Sequence, residues 1–218
     1  MFLFDAGAGT SDFITQSFPT ASKLPEDLKS VGIAADKVTD ITITHMHPDH
    51  IGGLVVGDKL AFLNARIHIA EAEWNFWNAE GFATSAPEAW RPMVGLVQGF
   101  SKVIEPNLSL HPGSIDLGGG VNIIPAAGHT PGHSAVVLDG GNEQLILVGD
   151  LTVHEDVHFA NPDYGWALDV DGELAVKTRK SMLDMITTDG LLMGAAHVTK
   201  PGLGRVERAG SGYRFVAI

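Results

Sequence analysis

The chain has 218 residues, 44% of them hydrophobic, enough to bury a full core, and its lack of cysteine excludes disulfide staples and thiolate metal sites. A balance of 26 acidic to 14 basic residues gives a formal charge of −12, which repels phosphate backbones and anionic lipid surfaces; no basic cluster offsets it. No apolar run reaches the roughly 18 residues of a membrane span. Met1-Phe2-Leu3-Phe4-Asp5 lacks the basic and long apolar regions of a signal peptide. The expectation is a single domain over residues 1–218, cytoplasmic as the sequence stands or periplasmic if the true N-terminus is missing. Its partner is expected to be a small-molecule substrate, neither nucleic acid nor membrane.

Residues 1–4 read as a short buried strand that needs a partner from elsewhere and ends in the glycine turn 5–9. Residues 24–31, with Pro25 near the start and Gly32 after the end, suit a short helix. The alternating, β-branched segment 40–44 predicts a strand, and residues 51–54 are expected to open a helix whose glycines let backbones pass closely. A strand over 66–70, a helix over 71–78 and a longer helical stretch over 86–103, made irregular by Pro92, follow. Strands are then expected from about Ser109, at 121–124, 134–138 and 144–148, the last two joined by the turn Asp139-Gly140-Gly141-Asn142. A helix over 174–186, a strand over 191–194 and a final pair within 205–218 complete the chain.

The chemistry concentrates in Thr44-His45-Met46-His47-Pro48-Asp49-His50, three imidazoles and a carboxylate at the end of a strand. A histidine alone is more often an ordinary surface or core residue, but this density is hard to explain as packing. On an extended segment His45 and His47 point to one side and can share a metal, while Pro48 bends the chain so that Asp49 and His50 can face a second. Imidazole and carboxylate donors suit zinc, iron, manganese or cobalt, so the set fixes a class of metal and not its identity, with zinc the expected ion. Three more strand ends each deliver a candidate donor: His129 in Ala127-Gly128-His129-Thr130-Pro131-Gly132-His133, Asp150 after the apolar run 145–149, and His197 after 191–194. His68, His111, His133, His154 and His158 read as non-ligands. Trp74, Phe76 and Trp77 read as core residues or, alternatively, as the wall of an apolar pocket.

The motif His-x-His-x-Asp-His at His45, His47, Asp49 and His50, and the later Gly-His-Thr-Pro-Gly-His turn, resemble the metallo-β-lactamase superfamily. The resemblance implies a four-layer αβ/βα sandwich, here N-terminally shortened. It implies that His45, His47 and His129 hold one divalent ion, that Asp49, His50 and His197 hold another, and that Asp150 bridges them. Asp5 resembles an acidic residue expected to support the metal loop from behind. The segments Ala70-Glu71-Ala72-Glu73-Trp74, Gly149-Asp150-Leu151-Thr152-Val153-His154 and Gly194-Ala195-Ala196-His197 are most like methyl parathion hydrolase and its ester- and organophosphate-cleaving relatives. Homoserine-lactone-cleaving relatives usually carry a Tyr where this chain has Val153.

The implied activity is hydrolysis of an ester, lactone or organophosphate bond by a hydroxide bridging two divalent ions, with Asp150 and Asp49 as catalytic residues and Asp49 also able to accept a proton. A mononuclear iron dioxygenase on the same fold, and a noncatalytic metal-stabilised interaction protein, are the alternatives. The shortened start would leave a sheet edge beside residues 1–4 exposed, so the chain is expected to form homo-oligomers.

Overall fold

The computed structural model describes residues 1–17 and 24–218, which divide into two compact units, Met1–His111 and Pro112–Ile218. In the first, strands β1 (Phe2–Phe4), β2 (Asp40–Thr42), β5 (Arg66–Ala70) and β6 (Leu108–His111) form a parallel sheet in the order β1-β2-β5-β6. The hairpin β3 (Val55–Val56) and β4 (Lys59–Leu60) stands apart from it. Parallel neighbours need crossover connections, here supplied by helices α1 (Asp12–Ser17) and α2 (Leu24–Ser30) before β2, α3 (Pro48–Ile51) before β5, and α4 (Glu71–Trp77), α5 (Phe82–Ser85) and α6 (Arg91–Ile104) before β6. The core gathers the inward residues Ile41, Ile67 and Ile69 of the sheet against Val94, Val97, Phe100 and Ile104 of α6. The i, i+3, i+6, i+10 spacing of those four puts them on one helical face.

The strand at the chain's start thus finds its partner in β2, with Phe4 opposite Thr42. Two readings of this half change. The helix at the metal loop begins at Pro48, before residues 51–54, because proline at the first helical position needs no N–H partner; residues 52–54 form a 3-10 turn after it. Pro92 likewise stands in the first turn of α6 and starts that helix without distorting it.

The second unit is a seven-stranded sheet in the order β13-β12-β11-β10-β9-β8-β7, from β7 (Ile115–Gly118), β8 (Val121–Pro125), β9 (Ser134–Asp139), β10 (Gln144–Leu147), β11 (Leu192–Gly194), β12 (Leu203–Ala209) and β13 (Gly212–Ala217). Every neighbouring pair is antiparallel except β10 and β11. That pair is joined by a crossover containing α7 (Glu155–His158) and α8 (Gly172–Asp189). Helix α8 buries Ala175, Arg179, Met182, Leu183 and Ile186, one face at helical spacing, of which Met182, Leu183 and Ile186 join Ile146, Met193 and Phe215 in the core. Asp171 caps its start by accepting from Leu174 N at 2.9 Å, and Gly190, in the left-handed region at φ 65°, ends it.

Candidate metal centre

The register of each sheet explains where the candidate ligands stand. In the first unit β2 ends at Thr42 and residues 43–47 run on as a loop, so His45 and His47 lie just beyond the carboxyl end of a central strand. Their rings meet edge to face, 4.7 Å between centroids, with His45 Nε2 2.9 Å from His47 Nδ1. Two nitrogens on one tetrahedral ion, with bonds of about 2 Å, lie about 3.3 Å apart, so this facing pair has the spacing of shared ligands. The ring of His50, in α3, lies 4.1 Å from that of His45, tilted by 48°, and its Nε2 lies 3.8 Å from Asp49 Oδ2.

The neighbouring strand ends hold this loop. Because Phe4 pairs with Thr42, Asp5 emerges beside Thr44, accepting from its backbone N at 2.7 Å and from its hydroxyl at 2.9 Å. The same carboxylate accepts from His50 Nδ1 at 2.8 Å, which fixes the proton there and leaves Nε2 as the basic nitrogen that could serve a metal. Thr44 Oγ1, its proton committed to Asp5, accepts from His45 Nδ1 at 3.1 Å and fixes that ring in the same sense. Asp5 does this from φ 53°, the one non-glycine residue at positive φ among the described residues, a conformation Asp tolerates and one that tends to mark functional sites. The expected supporting role of Asp5 is therefore met within the first unit.

In the second unit, antiparallel β9 begins, and parallel β10 and β11 end, at one edge of the sheet: Leu147 pairs with Val136 on one side and Gly194 on the other. The turn 126–133 before β9, the 3-10 turn Gly149–Leu151 after β10 and residue 197 beyond β11 therefore converge. Asp150, 6% exposed, places Oδ2 3.5 Å from His129 Nε2 and Oδ1 3.3 Å from His197 Nε2. One carboxylate thus faces a different imidazole with each oxygen, the arrangement a bridging ligand requires. Ligand atoms of His45 and His47, of Asp49 and His50, and of His129 and Asp150 lie within 4.8 Å of each other pairwise. The donors, imidazole nitrogen and carboxylate oxygen, fit divalent zinc-like ions.

Several supporting residues escaped the sequence reading. Asp169 Oδ1 accepts from His129 Nδ1 at 2.9 Å, leaving Nε2 to face Asp150. Asp169 Oδ2 accepts from Trp166 N at 3.0 Å and lies 3.7 Å from Arg179. The buried Arg179 donates to the carbonyls of Leu151, Pro162 and Tyr164, tying the Asp150 turn to the segment that carries Asp169. Burial pushes its pKa down and Asp169 opposes that shift. A charged residue at a core-facing position of α8 was a usable sequence signal for Arg179; Asp169, in a loop, gave none. His133 is not a ligand candidate in the structure either, but it is buried and structural: its Nδ1 donates to Ala126 O at 2.9 Å and its Nε2 accepts from Asp150 N at 3.1 Å. In the first unit Trp77 lies wholly in the core, and Trp74 and Phe76 pack against it, so the core reading of the aromatic helix holds.

The chain matches the metallo-beta-lactamase superfamily over residues 2–197 and belongs to that family; its fold is the metallo-β-lactamase fold. It is 28% identical over 176 residues to a probable metallo-hydrolase of Mycobacterium tuberculosis, covering 71% of this chain and 54% of that protein. An N-acyl homoserine lactonase of a Bacillus species is 25% identical over 172 residues, 78% of this chain and 60% of that one. The chain thus spans little more than half the length of these relatives. Among solved structures, the dizinc quorum-quenching lactonase AidC superposes with a TM-score of 0.88 at 31% identity, over 100% of this chain and 75% of that one. The hydrolase AbOPH gives 0.88 at 28%, with the same coverage. These relatives are lactonases and metallo-hydrolases, so they support the superfamily and not a particular closeness to methyl parathion hydrolase. No helix among the described residues is long and apolar enough to cross a membrane.

Proposed function

We propose that the chain is a binuclear metal-dependent hydrolase acting on a lactone or carboxylic ester, and that its two units work as one domain. His45, His47 and His129 would hold one ion, Asp49, His50 and His197 the other, with Asp150 shared between them. The observation that carries this reading is Asp150, whose two oxygens face His129 and His197 separately. Two divalent ions held there would polarise the scissile carbonyl and lower the pKa of water toward neutrality. The chain's part is preorganisation: Asp5 and Asp169 hold the protons of His50 and His129 on Nδ1 so that both present Nε2. Asp49, partly exposed and 3.8 Å from His50 Nε2, would take up a proton as water adds to the carbonyl.

The lactonase named among the relatives favours carboxylic esters, cyclic or open, over phosphotriesters as the first substrate class. Val153 stands where the resemblance implies a Tyr in most homoserine-lactone-cleaving relatives, so any lactone turnover would proceed without that phenol. The test is a panel of chromogenic or pH-indicator substrates, comprising an N-acyl homoserine lactone, an aryl ester and a phosphotriester, assayed with the zinc-loaded chain. Lactone or ester turnover abolished by chelator and restored by zinc is expected. Phosphotriester turnover alone would move the substrate assignment toward the methyl parathion hydrolase likeness, and no turnover on any member would count against the enzyme reading.

A further inference from the structure

Helix α4 starts where β5 ends, and β5 lies beside β2, so the first turns of α4 stand next to the loop carrying His45 and His47. Glu73 on this helix is fully buried. Its Oε1 accepts from the backbone N–H of Met46, the residue between the two histidines, at 2.8 Å. The same oxygen accepts from the indole Nε1 of Trp77, one helical turn further on, at 2.8 Å. Trp77, also fully buried, sets its ring against His47, 5.4 Å between centroids at 73°.

A carboxyl group in an apolar core costs stability unless its hydrogen bonds repay it, and an aliphatic residue of similar size would often serve packing as well or better. What an aliphatic side chain cannot do is accept the Met46 N–H. That bond sets the plane of the peptide joining His45 to Met46, and the indole sets the lateral position of the His47 ring. We propose that Glu73 and Trp77 form a two-point brace that positions His45 and His47 for metal binding, Glu73 acting through the backbone and Trp77 through the ring. This rests on the metal-centre reading given above, and neither residue contacts substrate or metal in it.

The test uses the full chain, stripped of metal, titrated with zinc and separately with cobalt(II), whose visible spectrum reports ligand geometry. Glu73→Leu removes the acceptor, and its zinc affinity is expected to fall about 10–100-fold with an altered cobalt spectrum. Glu73→Gln keeps an acceptor oxygen and should stay within about threefold of the wild type, with an unchanged spectrum. Trp77→Phe keeps an aromatic ring without the N–H donor and should give an intermediate loss, which keeps the proposal testable if Glu73→Leu does not fold. Melting of the metal-free variants separates positioning from general destabilisation: the lost buried hydrogen bonds lower the melting temperature, and the loss of affinity should appear at a titration temperature where each variant is still fully folded. Wild-type zinc affinity in a folded Glu73→Leu chain or in Trp77→Phe, or a Gln variant as weak as the Leu one, would overturn the brace alone. A wild-type chain that takes up no zinc would overturn the metal-centre reading, and the brace with it.

Discussion

The two oxygens of Asp150 face different imidazoles, and a neutral amide could offer a donor atom to one of them at most. Asp150→Asn is therefore expected to lose zinc affinity by more than the roughly 10–100-fold typical of residues behind the ligands, and turnover with it, as read by metal analysis and substrate assay. The loss should exceed that of Asp169→Ala, which leaves the proposed ligands in place, frees the His129 ring to rotate and removes the partner of Trp166 N and Arg179, and which should fall within that range. His154→Ala, at an exposed position, is the better control for both; His133→Ala is not, since His133 holds the Asp150 backbone. His158 makes a pH prediction. Burial, with Arg179 and His154 nearby, lowers its pKa from 6.5 to about 4 against the opposing pull of Asp169, and its Nδ1 accepts from Val153 N. A depressed histidine favours the fold while neutral, so this stability is complete above pH 6.5 and is lost as pH falls from 6.5 toward 4, where only the unfolded chain takes up the proton. Between pH 7 and pH 5 the metal-free wild type should lose on the order of 1 kcal/mol more than His158→Gln in urea unfolding. Equal losses would remove His158 as the cause.

At the scale of elements, two close approaches fix the loops that carry the proposed ligands. A Cβ on Gly52 would stand 2.0 Å from the Ala8 carbonyl oxygen, and one on Gly128, at φ 137°, would stand 2.3 Å from Ala175 N. Gly52→Ala and Gly128→Ala should each cost at least about 2 kcal/mol in denaturant unfolding, whereas Gly95→Ala, with open space around it, should not destabilise. The sequence made most of these elements legible where period and punctuation agree: the strand at Arg66–Ala70 and the hairpin through residues 139–142 stand as expected. It also made the ligand candidates legible, because strand ends with histidine or aspartate are local patterns. What it hid depends on pairing between distant segments. β7 is only four residues long, ends in a run of glycines and declares itself only against β8. Asp169 becomes a partner of His129 only because residues 169–171 return to the Gly128 turn, where Val170 N donates to His129 O at 3.0 Å. Glu73 was visible as part of a motif, but its partner Met46 N lies 27 residues away.

For the whole molecule, binding to the folded chain alone links metal to stability. Zinc at a hundredfold excess over its dissociation constant should add about 2.7 kcal/mol per site, raising the melting temperature by roughly 5–10 °C; a melting temperature indifferent to zinc would argue against a folded-state site. The central claim, that two ions act together in one hydrolase, is tested most directly by titrating zinc into the metal-free chain while following hydrolysis of the lactone or ester it turns over. Activity is predicted to stay low through the first equivalent and to reach its plateau at two per chain. A plateau at one equivalent, or activity that never depends on zinc, would contradict it.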